Sequence, residues 1–93
     1  MITVRTQFLS HFKEIAGTGE AAFELDNGQV SELAEQICDR FGPRMRAVLI
    51  DPKTNELNAR GTMFVDRKGR RISMSGTLDD GEEITFMMGT AGG

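Results

Sequence analysis

The chain has 93 residues, a net charge of −3, 39% hydrophobic and 27% charged residues. This is one small globular domain rather than a disordered chain, and the negative balance argues against a nucleic-acid binder, which needs clustered Lys and Arg to neutralise phosphate. A single cysteine, Cys38, makes no internal disulfide and no thiolate zinc site, and a single histidine, His11, gives little support to a His-based metal site or triad.

In chain order, residues 2–8 (ITVRTQF) alternate. Ile2, Val4 and Phe8 fall on one face with Thr6 in phase, and Arg5 and Gln7 fall on the other, which predicts a half-buried strand. SHFKEIAG follows as a short helical turn, with Ser10 placed to cap it and Phe12, Ile15 and Ala16 on one side. Residues 20–26 (EAAFELD) predict a second strand carrying Ala21, Phe23 and Leu25, and Asp26-Asn27-Gly28 is a turn signal. Those two strands should pair antiparallel.

Residues 30–41 (VSELAEQICDRF) carry the clearest periodicity. Val30, Leu33, Ala34, Ile37, Cys38 and Phe41 form one apolar stripe of an α-helix. Gly42-Pro43 is a strong stop, whereas Gln29 is a poor cap at the start. Cys38 lies on the stripe, where a thiol is a buried structural group rather than a nucleophile. Residues 44–60 are ambiguous between a strand and a short helix in RAVLID, followed by the turn-rich DPKTNEL. Residues 61–66 read as a strand, with either Met63 and Val65 in phase or Phe64 on the opposite face, RRISMSG as a short following strand, and ITFMM (84–88) as the last strand, with Ile84, Phe86 and Met88 in phase.

Two charged clusters have plain readings. Arg67-Lys68-Gly69-Arg70-Arg71 reads as a solvated turn. Asp79, Asp80, Glu82 and Glu83 could suggest a divalent-cation site, but an Asp-Gly turn flanked by charge accounts for them and no metal is expected. The N-terminus has no basic-then-apolar leader pattern, and no apolar run approaches the roughly 18 residues of a membrane span, so a cytoplasmic protein is expected.

Strand, strand, helix, then two or three strands predicts an α+β domain in which a mixed β-sheet packs on one main α-helix, the β-grasp pattern, with the first and last strands parallel at its centre. Residues 1–88 would form this domain. Residues 89–93, ending in Ala91-Gly92-Gly93, would form a flexible diglycine tail.

Four stretches resemble the MoaD/ThiS family of ubiquitin-like sulfur carriers: QFLSHFKEIAG (7–17), VSELAEQICDRFG (30–42), LDDGEEITF (78–86) and the terminal AGG. The length of residues 43–60 is more similar to the CysO-type carriers and archaeal ubiquitin-like modifiers. Val65-Asp66-Arg67 replaces the family's Val-Asn-Gly. The resemblance implies a protein that is not itself an enzyme, although it could serve as the small subunit of a molybdopterin-synthase-like one. The Gly93 carboxylate would be adenylated by an ATP-dependent, ubiquitin-activating-like enzyme and converted to a thiocarboxylate. A sulfur-accepting synthase subunit would then receive the sulfur, for molybdopterin first, with cysteine or thiamin as other acceptors. No cofactor would be held by the chain, since ATP belongs to the partner. Gly92, Ala91, Met87 and Leu9 would contact partners, neither nucleic acid nor membrane among them. Two alternatives stand beside this: a modifier joined through Gly93 to lysines of other proteins, and a non-catalytic β-grasp interaction domain.

Overall fold

The computed structural model describes residues 1–58 and 62–88. Four strands, β1 (Ile2–Phe8), β2 (Glu20–Leu25), β3 (Thr62–Val65) and β4 (Glu83–Met88), form one sheet in the order β2-β1-β4-β3. β1 pairs antiparallel with β2, setting Val4 opposite Phe23. It pairs parallel with β4, setting Phe8 opposite Phe86. β3 closes the other edge antiparallel to β4. A central parallel pair between the first and last strands, with a helix laid across the sheet, is the β-grasp architecture expected from the element order.

The inner face follows the period-two pattern. Val4, Phe8, Phe23, Leu25, Phe64, Ile84 and Phe86 are all buried. Thr6 shares that face and is fully buried. Its hydroxyl donates to the Ala21 carbonyl at 2.9 Å, which satisfies a polar group that would otherwise be costly there.

The helix α2 (Val30–Phe41) lays Val30, Leu33, Ala34, Ile37 and Cys38 into the core. Phe41 is only half-buried, its ring meeting Phe8 edge-on at 5.4 Å. Gly42 ends the helix with φ +91°, a region closed to most side chains, and its N–H donates to the Cys38 carbonyl. Pro43 does more than stop α2. It occupies the first turn of a further helix, α3 (Pro43–Leu49), where its missing N–H costs nothing. That resolves the ambiguous segment as far as residue 58: Met45 and Leu49 are fully buried from a helix, and Ile50 then forms a single bridge with Leu57.

Two expectations are corrected. Ser10 precedes the short helix α1 (His11–Ala16) but makes no side-chain cap hydrogen bond. Its backbone, at φ 55° and ψ −132°, turns the chain sharply out of the sheet, and that conformation does not present the hydroxyl to the helix N–H groups. Residues 70–76 are not a strand. Only Arg71 bridges to Val65, after which a Ser73–Gly76 turn redirects the chain. This detour has a use: the Gly76 carbonyl accepts the Val30 N–H at 3.0 Å, supplying from a distant loop the acceptor that Gln29 does not provide.

Carbonyl groups on both sheet edges are engaged. On β2, Gln36 donates to the Glu24 carbonyl at 2.8 Å. Arg40 donates to the Ala22 carbonyl at 3.3 Å while its guanidinium sits 4.1 Å from the Phe23 ring centroid. On β3, Phe64 accepts the Ile72 N–H. Engaged edge carbonyls discourage strand addition by another copy.

Candidate functional site

The outer face of the sheet changes character along β1 and β4. Near the start of β4, Arg5 is paired with Glu83, and next comes Gln7 beside Thr85. At the far end the side chains turn apolar. Met87 lies directly opposite Met63 across the β3–β4 pair. Phe8 is level with Phe86, and the Leu9 N–H donates to the Phe86 carbonyl at 2.9 Å, which brings Leu9 alongside Met87 on the other flank. Met63, Met87 and Leu9 therefore make an apolar row across β3, β4 and the end of β1.

Alternation explains why these side chains face outward: Phe64, Phe86 and Phe8 take the inner positions, and their neighbours in sequence must point the other way. Leu9 is 41% exposed and Met63 37% exposed. Met87, flanked by both, is half-buried. Beneath the row sits a rigid support. Phe86 meets Phe8, Phe12 and Phe64 edge-on at centroid distances of 5.4, 6.2 and 5.3 Å.

Of the five residues singled out from sequence, Leu9 and Met87 are brought together on this face. Ala91, Gly92 and Gly93 lie outside the described residues, as does the expected tail 89–93 as a whole. Met63 was missed as a surface residue. Its strand reading left open which face Phe64 would take, and only the β3–β4 register decides that.

The two charged clusters are structural. Asp80 accepts the Thr3 N–H at 2.8 Å and the Gly81 N–H donates to the Thr3 carbonyl, so the acidic turn stitches β4 to the start of β1. Among the described residues no group of three or more His, Cys, Asp or Glu side chains is arranged to hold a metal ion. In the basic turn, Asp66 accepts the N–H groups of Arg70 and Lys68 and the Arg70 guanidinium, and these bonds hold its carboxyl below the ordinary range. Glu32 plays the matching part at the β2–α2 turn. It accepts the Asp26 and Asn27 N–H groups at 2.6 and 2.8 Å, and those bonds pull its pKa down. Burial pushes the Cys38 thiol up, the opposite of what a nucleophile requires. Among the described residues no helix is long and apolar enough to cross a membrane.

No protein-family model matches the chain, and no curated protein matches it. Solved structures do. The crystal structure of SAMP1 from Haloferax volcanii superposes with a TM-score of 0.82 at 14% identity, covering 98% of this chain and 99% of that one. The fold is that of a small archaeal modifier protein. The small archaeal modifier protein 1 from Methanosarcina acetivorans matches with a TM-score of 0.73 at 19% identity, over 100% of this chain and 98% of that one. A Pyrococcus furiosus protein described as molybdopterin converting factor, subunit 1, matches with a TM-score of 0.74 at 21% identity, over 97% of this chain and all of that one. The resemblance expected from sequence is thus met at the level of the fold, over nearly the full length of each chain. What these proteins share with the present one is the β-grasp fold.

Proposed function

We propose that this chain is a carrier whose Gly93 carboxylate is adenylated by an ATP-dependent activating enzyme and then converted to a thiocarboxylate. A biosynthetic synthase receives the sulfur, molybdopterin formation being the first candidate. The observation that carries this reading is the placement of β4. It is a central strand locked between β1 and β3, its end lies beside the apolar row, and five residues ending in Gly92-Gly93 follow it.

The chemistry suits such an end. A free carboxylate has a poor leaving group, and adenylation supplies a good one. Five extended residues span roughly 17 Å, enough to pass a carboxylate into a partner's active site while the domain stays outside. Glycine, lacking Cβ, fits a narrow channel. The chain supplies a substrate end and a docking face. ATP and the catalytic groups belong to the partner. The tail follows β4, and Met87 near the end of that strand lies in the apolar row with Leu9 and Met63, so an enzyme that takes up Gly93 is the partner assigned to this row. Exposed apolar side chains grouped in this way mark contact surfaces.

A second reading has support in the comparison with two proteins named as small archaeal modifiers. In it, the activated Gly93 is joined to a lysine amine of another protein. Both readings share the first step, so one experiment tests it. The chain is incubated with ATP and an activating enzyme encoded beside it, and ATP–pyrophosphate exchange is followed. Exchange is expected with the full chain and lost on deleting Gly92 and Gly93, with the melting temperature unchanged. A mass gain of about 16 Da on adding a sulfur donor, oxygen replaced by sulfur, marks the carrier. Higher-mass conjugates mark the modifier. Exchange at the full rate by the truncated chain would overturn both.

A further inference from the structure

The apolar row contains two thioethers where aliphatic side chains would serve packing equally well. Met63 and Met87 face each other across β3 and β4, and Leu9 completes the row. The chain has six methionines, and their settings differ sharply. Met45 is fully buried on the inner side of α3. Met74 is half-buried against the core. Met1 is 82% exposed but stands at the opposite end of β1, about 23 Å from Phe8 at ~3.3 Å per residue. Met63 alone among the described residues between Ile2 and Met87 is both a methionine and exposed, and its cross-strand partner is another methionine.

We propose that Met63 and Met87 are a reversible oxidation site that switches off docking of the activating enzyme. This rests on the carrier reading above. The step is a two-electron oxidation by a hydroperoxide. The thioether sulfur attacks the distal oxygen, the O–O bond breaks, an S–O bond forms, and the peroxide leaves as an alcohol, or as water from hydrogen peroxide. Two equivalents of thiol reverse it, giving thioether, disulfide and water.

The physical effect follows from position. A sulfoxide is a strong hydrogen-bond acceptor. In solvent on this face it is hydrated and the domain stays folded. Beneath a docked partner that matched an apolar row, it loses its water without gaining a donor, and binding weakens. Two sulfoxides directly opposite each other place two such dipoles at the centre of the contact, where truncations and mismatches cost most.

The experiment treats the full chain with graded hydrogen peroxide, removes the peroxide with catalase, locates sulfoxides by tandem mass spectrometry, and measures binding to the activating enzyme by calorimetry. The paired protein is the Met63→Leu, Met87→Leu double variant, which keeps the row apolar and cannot be oxidised there. The expected order is Met1 first, then Met63 and Met87, with Met45 last. Once Met63 and Met87 carry oxygen, the dissociation constant should rise tenfold or more while the melting curve stays cooperative. Whatever its starting affinity, the double variant, equally treated and oxidised at Met1, should change by less than twofold from its own untreated form, and a thiol-dependent sulfoxide reductase should restore the native chain. Three results would overturn the proposal: unchanged affinity with both sites oxidised, an equal loss in the double variant, or oxidation of Met45 together with Met63, which would signal unfolding. Absence of binding and of pyrophosphate exchange by the untreated chain would instead remove the carrier reading, and this proposal with it.

Discussion

Phe86 is the residue whose truncation tests the architecture most directly. It sits on the central strand, 2% exposed, with Phe8, Phe12 and Phe64 around it in edge-on contact. Those three rings come from β1, α1 and β3, so Phe86 joins three elements at once. Removing a buried Phe side chain costs about 3–5 kcal/mol in lost transfer energy and residual cavity. The upper half of that range applies, because three aromatic pairs each worth about 0.5–1.5 kcal/mol are lost together and two of the neighbouring rings, Phe8 and Phe64, are held by sheet register and resist collapse into the space. For a domain of this size about 1 kcal/mol shifts the melting temperature by roughly 4–8 °C, so Phe86→Ala should lower it by roughly 16–40 °C. A stability of about 5–15 kcal/mol leaves the variant marginal at best. Phe86→Leu keeps most of the apolar volume and should lose under about 2 kcal/mol. Thermal unfolding followed by circular dichroism, with urea titration at 25 °C, reads both. A drop below about 5 °C for Phe86→Ala would mean that the aromatic cluster is not the joint between sheet and helices, and the packing argument would fail.

Gly28→Ala should cost about 1–3 kcal/mol, since φ is +70° there and a Cβ would stand 3.1 Å from the Leu78 carbonyl oxygen; urea titration checks it. Glu32→Gln should destabilise the chain in a pH-dependent way. The folded-state pKa lies below the ordinary 4.5, so the carboxylate's contribution is fully present above about pH 5 and is lost as pH falls through the lowered value. The gap in melting temperature between wild type and variant should therefore be widest at pH 7 and narrow towards pH 3, whereas a gap of constant size would refute the role of the two backbone hydrogen bonds. Leu9→Asp should leave the melting temperature within a few degrees of wild type, because the site is exposed, and weaken binding to the activating enzyme, read by calorimetry. Unchanged affinity would remove Leu9 from the docking face.

Much of the fold was legible before any coordinates. The α2 stripe and the alternation in β1, β2 and β4 depend on local periodicity, and periodicity is a property of adjacent residues. Local pattern failed where a partner far along the chain set the outcome. Ser10 has the composition of a cap, yet the exit from β1 forces a backbone conformation that prevents capping. RRISMSG alternates like a strand, but β3 is already paired with β4 on one side, and residues 72–77 are drawn away to cover the start of α2. Glu32 carries no local signal of its part in the fold. Its two hydrogen bonds go to the preceding turn, which only folding brings within reach.

The sequence by itself determined the secondary elements that carry strong period, the α+β class and the single thiol and single imidazole that rule out a cluster of either. Tertiary structure decided the composition of the candidate site. Leu9, Met63 and Met87 are separated by up to 78 positions, and nothing local relates them. They meet because β1 and β4 pair in parallel and β3 and β4 pair antiparallel in one particular register. A slip of one residue would have turned Met87 inward and Phe86 to solvent, and burying three phenylalanines against Phe86 is the free-energy difference that forbids it.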